Sequence, residues 1–119
     1  MTATLLTLGE PNLNGRTYTP DVVQEAIEKY LAKGKPIMVL SHFDDRTYMN
    51  GATNIENAVG NVENLRVEGN ALVGDIRLFP GKEDFQHFSC RPAFIGKVSD
   101  DGVVTEAELI SFGFTFDPA

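Results

Sequence analysis

The most regular hydrophobic pattern in the chain lies in residues 19–32 and predicts an amphipathic helix. Two apolar rows repeat every four positions and combine into one stripe, while the intervening positions are polar. The rows consist of Val22, Ala26 and Tyr30, and of Val23, Ile27 and Leu31. Thr19 is a suitable N-cap, Pro20 favours the first helical position, and Gly34 is expected to end the helix. The stripe should therefore face the core of a folded domain.

Shorter apolar segments on either side of the helix predict strands. Residues 4–8 are rich in Thr and Leu, a composition that favours a strand over a helix. Residues 37–40 form a continuous apolar run, which is typical of a strand covered on both faces. Residues 59–79 predict a hairpin that bends at Gly69-Asn70, since Gly-Asn is a good turn signal.

The C-terminal third predicts a second pair of strands. A short charged connector ending at Gln86 follows the first hairpin. Two strands are then predicted at residues 93–98 and 106–116, on either side of a turn at residues 99–102. One helix together with strands that form hairpins predicts an α+β domain.

Length and composition fit a single domain of residues 1–119. A chain of 119 residues has room for one core. Its 17 acidic and 10 basic residues give a formal charge of −7, which repels phosphate backbones and anionic lipid surfaces. We therefore expect neither nucleic acid nor a membrane among its partners. The lone Cys90 cannot form an internal disulfide, and the N-terminus lacks a signal-peptide pattern, so we expect synthesis in the cytosol.

A polar stretch at residues 43–57 predicts a long loop, and loops of this length in compact domains are often functional or mobile. It follows His42 and contains Asp44 and Asp45, which raises the possibility of a divalent cation site. Adjacent acidic residues in a loop are more often solvated than bound to a metal. We therefore predict no metal and no cofactor.

Three segments, in this order, resemble the prohead (capsid-maturation) proteases of tailed bacteriophages, which are serine peptidases related to herpesvirus assemblin. The segments are Asn12-x-Asn14-Gly15-Arg16-x-Tyr18 before the helix, Ser41-His42 after the apolar strand, and Phe88-Ser89-Cys90-Arg91 after the hairpin. The resemblance implies a small, mostly antiparallel β-barrel or bent sheet with the helix of residues 19–32 packed on it.

The same resemblance implies that His42 is a catalytic histidine and Ser89 a nucleophile. A serine needs a base to remove its proton, and the base needs a third group to hold its tautomer. The position that would carry the family's third, acidic group is Gly113. Substitutes exist nearby in Glu106, Glu108 and Asp117. Cys90 beside His87 is a weaker alternative nucleophile, because lone cysteines usually pack as small hydrophobic residues.

Several departures from the family pattern favour a protein that no longer cuts peptides. Pro92 removes a backbone donor just after Ser89, residues 81–86 form a short connector, and the chain is shorter than full family members. We therefore predict a phage virion structural protein, a capsid decoration, cement or minor head protein, made in the host cytoplasm. Its partners would be the major capsid protein or other virion proteins, contacted by many copies per particle.

Two other functions stay open on the sequence. One is an active serine endopeptidase that uses His42 and Ser89 to cleave scaffold or coat protein during prohead maturation. The other is a small phage-encoded binding module unrelated to assembly. Fold resemblance alone does not decide among the three.

Overall fold

The computed structural model describes residues 2–12, 14–43 and 57–115. Within these ranges it contains one α-helix, six strands and one short 3₁₀ helix. The helix is α1 (Pro20–Leu31), and the 3₁₀ helix spans Glu83–His87. The strands are β1 (Thr2–Thr7), β2 (Ile37–Leu40), β3 (Ala58–Glu68), β4 (Ala71–Leu78), β5 (Ser89–Val98) and β6 (Val104–Thr115).

The six strands form one sheet in the order β1-β4-β3-β2-β6-β5. Every neighbouring pair is antiparallel except β2 and β6, which are parallel. The sheet curls into a half-barrel, so that Cα atoms of the two edge strands, β1 and β5, come within 8 Å of each other. The α+β class, the bent and mostly antiparallel sheet and the packed helix are thereby confirmed. No helix in the described ranges is long and apolar enough to span a membrane.

Helix α1 packs on β6 and β3 and begins as the sequence predicts. Oγ1 of Thr19 accepts a hydrogen bond from the backbone of Val22 at 3.4 Å, with Pro20 in the first turn. The buried positions are Val23, Ala26, Ile27 and Tyr30. The prediction that Leu31 is a core residue is wrong, since its side chain is 54% exposed. At 3.6 residues per turn, Leu31 lies about 90° from the centre of the buried face.

The strands of the C-terminal third start earlier than the sequence predicts. β5 begins at Ser89, four residues before the predicted start at Ala93, because Ser89 to Pro92 pair with the end of β6. Pro92 is tolerated there because β5 is an edge strand and one of its sides needs no ladder hydrogen bond. The preceding connector is the 3₁₀ helix, whose Phe85 ring packs 5.3 Å from the ring of Phe114.

A polar cluster connects β3, β4 and β1. Asn64 adopts a positive φ of 52° at an irregularity in β3, a conformation that asparagine accepts more readily than most residues. Its Nδ2 donates to Asp75 at 2.9 Å, and Oγ1 of Thr2 donates to the same carboxylate at 2.7 Å. These two hydrogen bonds lower the pKa of Asp75 below its ordinary value.

This cluster predicts a specific effect of Asn64→Gly, which keeps the backbone conformation and removes the donor. We expect the pKa of Asp75 to rise towards its ordinary value of about 3.9. A lowered pKa stabilises the folded state above the ordinary pKa, and this contribution is lost as the pH falls through the lowered value. The variant should therefore lose less stability on acidification than the wild type.

Carboxyl NMR titration of Asp75 together with urea unfolding between pH 3 and pH 7 measures both effects. The change Asn70→Gly, in an exposed turn, is the matched control. An unchanged Asp75 titration in Asn64→Gly would contradict the assigned hydrogen bond.

Candidate functional site

His42 lies just beyond the end of β2, and both of its ring nitrogens have partners. Nδ1 is 2.9 Å from Oγ of Ser41, and Nε2 is 3.5 Å from Nδ2 of Asn57. Because an amide Nδ2 can only donate, this contact corresponds to the tautomer in which Nε2 accepts and Nδ1 carries the hydrogen towards Ser41. The lone pair that a general base would use therefore faces an amide group.

Ser89 is the first residue of β5 and is half-buried. Leu40, Gly113 and Arg91 lie in register on β2, β6 and β5. His42 lies two residues after Leu40, and Ser89 lies two residues before Arg91. Because β2 and β5 run in opposite directions, both lie at the same end of the sheet. β6 lies between the two strands that lead to them, and two strand spacings are about 10 Å. No hydrogen bond joins His42 to Ser89 in the part of the chain that the structure describes.

Gly113, where the resemblance implies the third catalytic group, is covered by the ring of Phe43. A Cβ atom added to Gly113 would lie 2.7 Å from Cε1 of Phe43, well inside van der Waals contact. The guanidinium carbon of Arg91 lies 5.5 Å from the centre of the same ring, within range of a cation–π interaction. Phe43, Gly113 and Arg91 therefore form a stack where a third catalytic group would be expected.

The other acidic residues considered from the sequence have different partners or lie elsewhere. Oε2 of Glu106 pairs with Lys97 at 3.4 Å, and Oε1 of Glu108 pairs with Lys33 at 3.4 Å. At about 3.4 Å per residue, these positions are about 17 to 24 Å along β6 from Gly113. Neither can support the His42 ring. Asp117 lies outside the described residues.

Cys90 is poorly suited to act as a nucleophile. Its side chain packs against the hydrophobic core, and burial raises the pKa of the thiol to about 12. The thiolate, which is the reactive form, is therefore scarce at neutral pH. His87 ends the 3₁₀ helix and is exposed.

No metal centre is visible in residues 2–12, 14–43 and 57–115, where no three His, Cys, Asp or Glu side chains cluster. Asp44 and Asp45, which the sequence suggested together with His42, lie outside these ranges.

The Asn12 to Tyr18 segment has a structural role that the sequence did not reveal. Oδ1 of Asn12 accepts hydrogen bonds from the backbones of Asn14 and Arg16 at 2.9 and 3.0 Å. Thr17 then pairs with Val103 in the turn between β5 and β6. Because the segment follows β1, it ties that edge strand to the opposite edge of the sheet. It closes the half-barrel at one end.

Comparison with solved structures identifies the architecture. The structure is similar to the capsid assembly protease gp21 of bacteriophage T4, with a TM-score of 0.77. The similarity covers 99% of this chain and 82% of the T4 chain, at 17% sequence identity. The fold is that of a phage capsid assembly protease.

The capsid assembly protease fold confirms the architecture that the three sequence segments implied. No family model and no curated protein matches the sequence. The relation to herpesvirus assemblin, the loss of activity and the roles of His42 and Ser89 stay predictions.

The contact between Phe43 and Gly113 predicts that the effect of Gly113→Ala on stability depends on whether the Phe43 ring is present. We expect Gly113→Ala to lower the free energy of unfolding by about 1 to 3 kcal/mol, because the new methyl group displaces the Phe43 ring. In a Phe43→Ala background the same change should be neutral or stabilising, because alanine restricts the unfolded chain and now has room. Urea unfolding of the four proteins gives the coupling energy. Equal effects of Gly113→Ala in both backgrounds would contradict the stack.

The raised pKa of Cys90 predicts slow alkylation of the native protein. With a pKa of about 12, only about one thiol in 10⁴ is ionised at pH 8. We expect iodoacetamide to modify native Cys90 slowly, at a rate that keeps rising beyond pH 9. In denaturant, the rate should match that of an ordinary cysteine and level off near pH 9. Rapid modification of the native protein at pH 7 would contradict the assignment.

Proposed function

We propose that this chain is a structural component of a phage head, built on the capsid assembly protease fold, and that it does not hydrolyse peptides. The observation that carries the proposal is the Phe43 ring against Gly113. The ring occupies the space beside the β6 backbone at the position where the resemblance implies an acidic group, so a side chain there would have to displace it.

The described contacts of His42 support the same conclusion. A serine protease needs a histidine whose Nδ1–H is held by a carboxylate or an equivalent group, with Nε2 free to accept the serine proton. Here Nδ1 faces the neutral hydroxyl of Ser41, and Nε2 faces the amide of Asn57. Loss of the supporting carboxylate alone reduces turnover by about 10⁴ in serine proteases. A serine and histidine without such a group are therefore a poor catalyst.

The proposed role in the phage head is based on the structural neighbour and on the net charge of the chain. The T4 neighbour is a capsid assembly protease, so the proposed partners are the coat protein or other proteins of the head. A formal charge of −7 keeps the free protein soluble and away from packaged nucleic acid. We propose that many copies stay in the finished particle as a decoration, cement or minor head protein.

The second candidate is an active serine endopeptidase that cleaves scaffold or coat protein. One observation favours it, because His42 and Ser89 lie at the same end of the sheet with a single strand between them. Activity would require the His42 ring to leave Asn57 and turn towards Ser89. It would also require an acidic group from outside the described residues.

A fluorophosphonate probe separates the two candidates. We expect no labelling of the purified protein beyond that of Ser89→Ala, because the serine lacks an activated base. Trypsin in the same reaction is the positive control. Labelling that is lost in both Ser89→Ala and His42→Ala would overturn the structural proposal.

Mass spectrometry of purified particles tests the proposed presence in the finished head. The proposal expects the intact chain at a fixed ratio to the coat protein.

A further inference from the structure

The loop between β1 and α1 contains an Asn-Gly pair, Asn14-Gly15, and both residues are exposed. Because glycine has no side chain, its backbone nitrogen can approach the side chain of the preceding asparagine closely. That nitrogen can attack the amide carbon Cγ of the asparagine, which is the first step of spontaneous deamidation. The pair is therefore a candidate site of covalent modification.

The reaction needs only the chain itself and water. The nitrogen of Gly15 forms a bond to Cγ of Asn14 and gives its proton to the solvent. The bond from Cγ to Nδ2 breaks, and the side-chain nitrogen leaves as ammonia. Water then adds to one of the two carbonyl groups of the resulting succinimide ring and opens it, which gives aspartate or isoaspartate at position 14. Either product is ionised at neutral pH, whereas asparagine is not.

In the closed loop the attacking nitrogen is held by Asn12. The backbone N–H of Gly15 donates to the backbone oxygen of Asn12 at 2.9 Å. Oδ1 of Asn12 accepts from the backbones of Asn14 and Arg16 at 2.9 and 3.0 Å. The N–H of Asn12 donates to the backbone oxygen of Arg16 at 2.9 Å. Attack on Cγ requires the Gly15 N–H to leave its acceptor, so the closed loop protects Asn14.

The loop can open without unfolding the domain. Its four hydrogen bonds lie within residues 12–16, and none belongs to a ladder of the six-stranded sheet. Asn14, Gly15 and Arg16 are all exposed. Exposed hydrogen bonds that support little packing are typical of segments that open locally.

The loop also touches the turn between β5 and β6. The N–H of Thr17 donates to the oxygen of Gly102 at 2.8 Å, and the N–H of Val104 donates to the oxygen of Thr17 at 2.9 Å. The oxygen of Gly15 lies so close to Gly102 that a Cβ atom there would overlap it. An isoaspartate adds one atom to the backbone directly before Gly15, so this fit cannot stay unchanged.

We propose that Asn14-Gly15 is a deamidation site that Asn12 protects, and that isoaspartate at position 14 loosens the closed end of the half-barrel. The observed rate is the rate in the open loop multiplied by the fraction of time for which the loop is open, as in amide exchange through local opening. The inference does not depend on the proposed role in the phage head.

Peptide mapping by mass spectrometry, after incubation of the full chain at neutral pH, measures the rate at Asn14. In guanidinium chloride, Asn14-Gly15 should react about as fast as Asn50-Gly51, the other Asn-Gly pair of the sequence. In the native protein, we expect Asn14 to react about tenfold or more slowly than in the denaturant, because the loop is mostly closed.

Substitutions at Asn12 test the protection. Asn12→Ala removes both side-chain hydrogen bonds and should speed native deamidation by about tenfold, which corresponds to about 1.4 kcal/mol. Asn12→Asp keeps an acceptor at the same place, and its rate should stay near that of the wild type. Ile27→Val, on the buried face of α1, destabilises the whole domain without touching the loop. This control should leave the rate unchanged.

The isoaspartyl form tests the structural consequence. Anion exchange separates the deamidated protein by its additional negative charge, and protein isoaspartyl methyltransferase identifies the isoaspartyl fraction. Amide hydrogen exchange by NMR should be faster at Thr17 and Val104 in this fraction than in the unmodified protein. The amides that pair β3 with β4 should exchange as before.

Several outcomes would contradict the proposal. Equal rates in the native and denatured protein would show that the loop does not protect Asn14. Absence of the product at Asn14 in native Asn12→Ala would show that this pair is not a modification site. Equal acceleration by Ile27→Val would show that the reaction requires global unfolding. Unchanged exchange at Thr17 and Val104 in the isoaspartyl form would refute the loosening.

Discussion

The parallel pairing of β2 with β6 is the contact on which the rest of the structure depends. It joins Val39 to Phe112 and Leu40 to Gly113, and Val39, Leu40 and Phe112 are completely or almost completely buried. Without it no ladder of the described sheet would join the β3–β4 hairpin to the β5–β6 hairpin. Their union buries a common core beneath α1, which packs on strands from both sides of the junction. Truncating a fully buried phenylalanine such as Phe112 typically costs about 3 to 5 kcal/mol.

The same pairing sets the chemistry of the candidate site. It brings the end of β2, and with it His42 and Phe43, to the level of Gly113 and Arg91. Because Gly113 has no side chain, the Phe43 ring can lie directly on the β6 backbone, and the Arg91 guanidinium can stack on that ring. An acidic residue at position 113 would exclude the ring. The glycine at position 113 therefore shapes this end of the sheet, because an aromatic contact takes the space beside the β6 backbone.

The fold was largely predictable from local patterns, and the site was not. The helix followed from Thr19, Pro20 and its apolar stripe, and the first hairpin from Gly69-Asn70, because caps and turns depend on neighbouring residues. The early start of β5 was missed because Ser89 and Pro92 are weak strand formers that pair for tertiary reasons. The contact between Phe43 and Gly113 spans 70 positions (113 − 43) and leaves no local signal. The available clue was a phenylalanine directly after His42 combined with a glycine at position 113.

Catalysis and folding make different demands on these strands. A triad needs three side chains within hydrogen-bond reach of one another, so one substitution at any of them removes most of its activity. The pairing of β2 with β6 needs only that Val39, Leu40 and Phe112 stay apolar and well packed. The stability of this fold is therefore independent of whether three catalytic side chains are in place at the end of the sheet.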